Sequence, residues 1–456
     1  MSTSVRPIRR LLIANRGEIA VRIQRACREL GIETAQVYSE ADRDSMAVRD
    51  ADFALCIGPA RSSESYLRAE AVVAAAHALR ADAIHPGYGF LSENAVFAHL
   101  CEREGITFVG PPGDVIATMG DKASARATAV AAGVPVTPGS SGTIPSAAAA
   151  REIAARLGYP VILKAVAGGG GRGMRVVEAE ADLEAHFDAA VREAKAAFGD
   201  GAMYVEKYLT GIRHVEIQIL ADGQTVLHLG ERDCSSQRRN QKLIEESPSP
   251  GLSPAMREAM GAAAVRLCEH VGYRSAGTIE CIVDPARELF YFMEMNTRVQ
   301  VEHPVTECVT GIDIVKEQIR IAGGEALSIR QSDVRLAGHA IECRINAEDP
   351  ARGFAPCPGR LGDVRFPGGP GIRVDSHVHS GAVVPPYYDS LIAKLVAWGR
   401  DRDEALARMR RALAELRIDG VHTTAPFIAR LIESDAFRQG AVHTRFVEEF
   451  IRESTP

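Results

Sequence analysis

Two strand-like runs carry carboxylates that must end up close together, and this limits the chain more than any other feature. Residues 278–283 and 289–296 are strongly apolar runs, joined by Asp284, Pro285, Ala286, Arg287 and Glu288, and they read as a β-hairpin. With residue 283 facing 289, residue 280 faces 292, and Glu294 lies one diagonal step along the face that carries Glu280. The period of two brings Asn296 to that face as well. Adjacent carboxylates repel and weaken a sheet. A hard divalent cation bound through oxygen removes the penalty. Glu280, Glu294 and Asn296 are therefore candidate magnesium ligands. The competing picture is two solvated glutamates on an open face, and the apolar run 289–293 weighs against it.

The same parity continues through Arg298, Gln300 and Glu302. An extended backbone there lines one wall with cation ligands, a guanidinium, an amide and a carboxylate. Arginine pairs in bidentate fashion with planar carboxylate-like anions, and bicarbonate has that shape. A glutamate two residues beyond the amide can act as general base if its surroundings tune it.

Upstream, Gly168, Gly169, Gly170, Gly171 and Gly173 form a glycine-rich turn between strand-like runs 160–164 and 174–177. It formally matches a dinucleotide fingerprint, but such a fingerprint must open a helix. Met174 stands where a Walker loop needs lysine. A flap whose N–H groups close over phosphates fits better, and Lys164 on the preceding strand favours phosphate over a plain surface hairpin. Residues 231–242, taken alone, read as a solvated charged loop.

The organisation around these motifs is layered. A strand at 9–14, a turn and a helix at 19–30 are followed by further strand–helix alternation to about residue 115, which predicts an open parallel sheet with helices on both faces. Ile19, Ile23, Ala26, Cys27 and Leu30 share one helical face. Residues 116–335 read as α+β, with strand runs at 205–220 and 225–232 and helices at 183–197 and 255–271. Residues 336–456 are richer in short strands and end in helices at 402–416 and 424–433. With 456 residues, two to four domains are expected at roughly 100–200 residues each.

Composition excludes some functions. A net charge of -6 and a pI near 6.1 argue against a nucleic-acid partner. Nine scattered cysteines without a CxxC pair read as reduced thiols of a cytoplasmic protein. The apolar run 11–14 is too short for a secretory core. The uncharged stretch 127–150 is broken by glycines and prolines and reads as helix end, turn and linker, so no membrane association is expected.

Taken together, these motifs resemble the biotin carboxylase family. The resemblance rests on Met119 to Lys122, on Lys164 with the flap, on Arg213 to Glu216, on Glu231 to Lys242 and on Glu294 to Pro304. His85 to Asn94, Glu342 to Asp349 and Pro385 to Ser390 complete it, so that it runs from about residue 7 to 450. It implies a Rossmann-like N-terminal domain (1–115), an ATP-grasp domain with the flap (116–335) and a C-terminal mixed α/β biotin carboxylase domain (336–456). Lys122 and Lys164 would hold ATP phosphates under Gly168–Gly171. Glu206 and Leu209 would meet adenine, and His214 and Gln237 the ribose. Asn240 stands where the family often has histidine, and a changed ribose contact is expected there. Glu280, Glu294 and Asn296 would bind Mg2+ or Mn2+. Arg298, Gln300, the Val301 N–H and Lys242 would hold bicarbonate, and Glu302 would deprotonate it. Attack on the γ-phosphate gives carboxyphosphate, which yields carbon dioxide and phosphate. Phosphate takes the biotin ureido proton, and Arg344 steadies the enolate.

No lysine of the seven has a neighbouring methionine, the signal for biotin attachment. Biotin is therefore expected on a separate carrier protein, with a separate carboxyltransferase, and the family commonly forms homodimers. The implied role is the first half-reaction of acetyl-CoA carboxylation in fatty acid biosynthesis, with pyruvate or another acceptor as the alternative. Two rivals are another ATP-grasp ligase and a nucleotide-binding protein without catalysis. The row from Arg298 to Glu302, together with Arg344, argues against the first, and a competent residue at every expected catalytic position argues against the second.

Overall fold

The computed structural model describes residues 7–166 and 173–454. Strands β1 (Arg10–Ile13), β2 (Glu33–Ser39), β3 (Phe53–Gly58), β4 (Ala83–His85) and β5 (Thr107–Phe108) form a parallel sheet in the order β3-β2-β1-β4-β5. Alternate residues of β1 feed different cores. Leu11 and Ile13 pack with Ile19, Ile23, Ala26 and Cys27 of the helix Gly17–Glu29. Leu12 and Ala14 pack with Phe97 and Val72 on the other face. Side chains of a strand point alternately to its two faces, so helices must cover both, as expected from the strand–helix alternation.

Strands β6 (Val161–Ala165), β7 (Met174–Val177) and β8 (Met203–Lys207) make a small antiparallel sheet, covered by the helices Ala147–Leu157 and Leu183–Phe198. The first of these helices begins inside the stretch expected as linker. The run 205–220 is not one strand. It divides at the segment 208–212, where Gly211 takes a φ of +65° that only glycine adopts cheaply. Its second half, β9 (Arg213–Asp222), lies in a different sheet.

That sheet has eight strands. Beside β9 are β10 (Val226–Arg238), β11 (Gln241–Ser247), β12 (Arg274–Asp284), β13 (Leu289–Asn296), β14 (His339–Asn346), β15 (Ile372–Ser376) and β16 (Leu391–Gly399). The order is β13-β12-β9-β10-β11-β14-β16-β15. Strands from beyond residue 336 thus continue the sheet begun by the central region. One face of β9 and β12 is apolar: Val215, Ile217, Ile279, Cys281 and Val283 pack under the helix Pro254–His270. The other face is polar and carries the site. All nine cysteines are free. Among the described residues no helix is long and apolar enough to cross a membrane.

Glu246 fastens the C-terminal helices to this sheet. It accepts from Arg402 at 2.7 and 3.1 Å, and His339 Nε2 lies 2.9 Å away. Burial opposes its charge, but His339 and Arg402 outweigh burial and hold the carboxyl down at about 2. A depressed acid adds stability that is present above its ordinary value of 4.5 and is lost as pH falls toward about 2. Glu246→Gln is expected to cost about 3 kcal/mol at neutral pH and almost nothing at strongly acid pH. Urea unfolding followed by Trp398, the single tryptophan, measures it; an equal loss at both pH values would count against the ion-pair origin.

Candidate active site

A cleft of about 1510 Å³ opens between the parallel sheet, the small sheet and the polar face of the large one. Three strands bring three carboxylates together here, Glu280 and Glu294 lining the cleft and Glu216 buried beneath it. In the register, Glu280 of β12 faces Glu216 of β9 on one side and Glu294 of β13 on the other. The hairpin is therefore one step off the expected register at its turn and two steps off at Glu280. Asp284 pairs with Leu289, and a bulge between Glu280 and Cys281 leaves Met293 without a partner. A bulge inserts one residue and re-aims the side chains beyond it. Glu280 and Glu294 become direct neighbours and not diagonal ones.

The wall from Asn296 to Glu302 does not stay extended. Strand β13 ends at Asn296, and Glu302 has turned to φ −81°, ψ 8° as the N-cap of the helix His303–Thr310. The side chains still meet. Arg298 donates to Asn296 Oδ1 at 2.7 Å and to Gln300 Oε1 at 3.0 Å. Asn296 and Gln300 donate to Glu280 Oε1 at 2.9 and 3.1 Å. Arg298, Gln300 and Val301 line the cleft, whereas Glu302 lies beneath it, fully buried.

Lys242 joins these groups. Its ammonium reaches Glu216 at 2.7 Å, Glu280 at 3.0 Å and Glu302 at 2.5 Å. Burial opposes its charge, and burial also pushes the neighbouring Cys234 thiol up, so that the thiol stays neutral. The three carboxylates are therefore what hold the ammonium well above its ordinary value. Glu302 is the mirror case. Burial alone would raise it, yet Lys242, Arg344 and Arg232 hold it well below the usual carboxylate range. Arg344 donates to Glu302 at 3.0 Å and to Glu245 at 2.6 Å.

Lys242 also decides where a cation fits. Two tight triads have metal-like spacing, His214–Glu216–Glu280 and Glu216–Cys234–Glu302. The Lys242 ammonium already bonds two carboxylates of each. Glu294 stands at the open end of the row. Burial and the charge of Glu280 push its carboxyl up. Negative charge accumulates there beside the Asn296 amide, and this donor chemistry suits an oxygen-seeking divalent ion.

The residues expected to meet a nucleotide also line the cleft: Lys122, Lys164, Glu206, His214, Gln237 and Asn240. Glu206 accepts from Lys164 at 2.5 Å and from Arg126 at 3.2 Å. His214 Nε2 lies 2.9 Å from Glu280. Leu209 is half-buried between β8 and β9 and does not line the cleft. Gly168, Gly169, Gly170 and Gly171 lie outside the described residues.

Residues 231–242 are not a solvated loop. They are the paired strands β10 and β11, with Gln237 facing Lys242. Arg239 and Asn240 make the turn with φ of +48° and +64°, the two-residue geometry that favours asparagine. Arg232, Ser235 and Glu231 are fully buried. Three further residues serve the site although the sequence does not single them out. Glu93 accepts from Arg298 Nε at 2.8 Å and from the Thr297 N–H at 3.0 Å. Arg126 holds Glu206, and Glu245 holds Arg344. Glu93 falls within the conspicuous stretch 85–94; no local pattern marks the other two.

Three family models match successive stretches of the chain: "Biotin carboxylase, N-terminal domain" over 7–116, "Carbamoyl-phosphate synthase L chain, ATP binding domain" over 121–330 and "Biotin carboxylase C-terminal domain" over 342–449. The chain is 56% identical to Biotin carboxylase 1 of Bacillus subtilis, across 97% of this chain and 99% of that one. It is 52% identical to a pyruvate carboxylase subunit of Methanothermobacter thermautotrophicus, across 97% and 90%. The biotin carboxylase domain dimer of 2-oxoglutarate carboxylase from Hydrogenobacter thermophilus, solved with MgADP, ADP and bicarbonate, superposes with a TM-score of 0.91. The two are 50% identical, with 97% of each chain covered.

Proposed function

The chain belongs to the biotin carboxylase family and is an ATP-dependent carboxylase of the ligase class, and from that premise we propose how its own residues perform the reaction. ATP and bicarbonate enter the cleft, and biotin arrives on a separate carrier protein. Lys122 and Lys164 take the phosphates, Lys164 leaving Glu206 to do so. Glu206 borders adenine; His214, Gln237 and Asn240 border the ribose. Glu280, Glu294 and Asn296 hold Mg2+ or Mn2+, which when bound neutralises phosphate charge. Arg298, Gln300, the Val301 N–H and Lys242 hold bicarbonate.

The observation that carries this reading is the double clamp on Glu302. A carboxylate held this low by Lys242 and Arg344 is a poor base. Both clamping cations are also the groups assigned to the anions, Lys242 to bicarbonate and Arg344 to the biotin enolate. Bicarbonate that draws Lys242 off Glu302 raises its basicity at the moment a proton must be taken; Arg344 turns to the enolate only in the later step. The freed bicarbonate oxygen then attacks the γ-phosphorus, ADP leaves, and carboxyphosphate decays to carbon dioxide and phosphate. Phosphate accepts the N–H proton of biotin as its nitrogen attacks carbon dioxide. The test is ATP cleavage by the purified protein. It is expected to require bicarbonate and to rise with free biotin; cleavage indifferent to biotin would point to another ligase.

The downstream reaction we assign is carboxylation of acetyl-CoA to malonyl-CoA for fatty acid biosynthesis, in the cytoplasm. A carboxyltransferase partner completes it, and the chain works as a homodimer. The likeness to a pyruvate carboxylase subunit supports a second reading, with pyruvate as acceptor. Capturing the chain from its native source and supplying each acceptor separates them, since only one of malonyl-CoA and oxaloacetate then accumulates.

A further inference from the structure

Directly under Arg344, two glutamates face each other in the ladder between β11 and β14. Glu245 opposes Glu342 in the register, so both side chains project from the same face of the sheet. Both are fully buried. Glu245 spends one oxygen on Arg344 Nε at 2.6 Å. Its other oxygen, and both oxygens of Glu342, have no hydrogen-bond partner among the described residues.

Two ionised carboxylates cannot sit this way. A buried charge needs a charged or hydrogen-bonding partner, and the available cations are committed elsewhere. Arg344 is shared with Glu302 at 3.0 Å. Lys394, which faces Arg344 from β16, gives its ammonium to the Val301 carbonyl at 2.8 Å and to Glu18 at 3.2 Å. From the helix above, Glu302 and Cys308 also face the pair, and neither is a cation. A carboxyl pair that shares one proton removes the repulsion and satisfies two of the three leftover oxygens.

We propose that Glu245 and Glu342 hold one proton between them and act as a positioning pair for Arg344, ionised Glu245 anchoring the guanidinium while neutral Glu342 occupies the second oxygen of Glu245. The consequence is geometric. A free carboxylate engages arginine with both oxygens in a fork. With one oxygen of Glu245 taken, Arg344 keeps a nitrogen for Glu302 and for substrate. Burial pushes the Glu342 carboxyl well up against the pull of Lys394, and the charge of Glu245 adds to the rise.

This rests on the assignment of Arg344 to the reaction, and the test keeps the two apart. Glu245→Gln and Glu342→Gln are compared by bicarbonate-dependent ATP cleavage and by melting temperature across pH. Glu245→Gln is expected to lower kcat about ten- to hundredfold with KM for ATP unchanged, from loss of a charge-assisted bond. Glu342→Gln, which imitates the neutral acid, is expected to keep turnover within about twofold near neutrality. An acid raised in the folded state weakens the fold as pH climbs. Glu342→Gln is therefore expected to melt progressively above the wild type as pH rises past the ordinary carboxylate value of 4.5. Should the amide fail to fold, Glu342→Leu cannot ionise either and is expected to show the same pH-dependent gain. Turnover of Glu342→Gln as low as that of Glu245→Gln, or a melting difference constant with pH, overturns the shared proton. A wild-type protein without bicarbonate-dependent cleavage overturns the assignment of Arg344 instead, and leaves the melting comparison standing.

Discussion

Glu302→Gln is expected to lower bicarbonate-dependent ATP cleavage about 10²- to 10⁴-fold, the range lost with a general base. The amide keeps the size of the side chain and can still accept from Lys242 or Arg344, so the fold should survive. Lys242 also retains Glu216 and Glu280. What disappears is the only carboxylate in contact with both Lys242 and Arg344 among the described residues. KM for ATP should stay within about twofold, since the loss falls on the chemical step and not on shared ground-state binding. Glu302 is absent from the cleft wall, which supports that split. The measurement is initial-rate ADP release with and without bicarbonate. Equal rates in the variant and the wild type would remove Glu302 from the reaction and revive the non-catalytic reading.

Much of this arrangement is legible in the sequence alone. The parity of two, a local property of an extended chain, holds for Glu294 and Asn296 on one strand; beyond Asn296 the chain turns, yet Arg298 and Gln300 still reach the same cleft and Glu302 lies beneath it. The strand–helix alternation of the first hundred residues is equally local. The failures share one cause: pairing partners and turns are set by distant contacts. The bulge at Met293 shifts the hairpin by one residue, because Phe292 is fixed from outside by the Pro135 carbonyl at 2.7 Å. The run 205–220 looks continuous, yet its halves serve different sheets. The stretch 231–242 is dense in charge and reads as solvated. Its inner charges are paired by residues from other segments: Arg232 and Lys242 by Glu216, Glu280 and Glu302, and Glu231 and Asp233 by Arg257 and Arg213. The Glu245–Glu342 opposition is invisible in the sequence, since nothing local sets β11 against β14.

Arg232 shows how much stability such non-local neutralisation carries. It is fully buried. It donates to Glu216 at 2.6 Å, to Gln218 at 2.6 Å, to Thr306 at 3.0 Å and to Thr278 at 3.1 Å. Those partners come from β9, β12 and the helix His303–Thr310, so a single guanidinium ties the floor of the site to the helix that Glu302 caps. Truncating one partner of a buried ion pair leaves the other charge stranded, at a cost of about 3–5 kcal/mol. Arg232→Met is the sharper probe, because it fills most of the volume and limits the cavity term. The expected loss is of that size, read from urea unfolding with Trp398 as the reporter. Adding Glu216→Gln removes the stranded charge and should return part of the loss, about 1 kcal/mol or more. A Met variant within about 1 kcal/mol of the wild type would mean that Lys242 alone suffices for Glu216. The four hydrogen bonds of Arg232 would then be incidental to the fold, and the rigidity of the catalytic floor would have to come from the apolar packing beneath it.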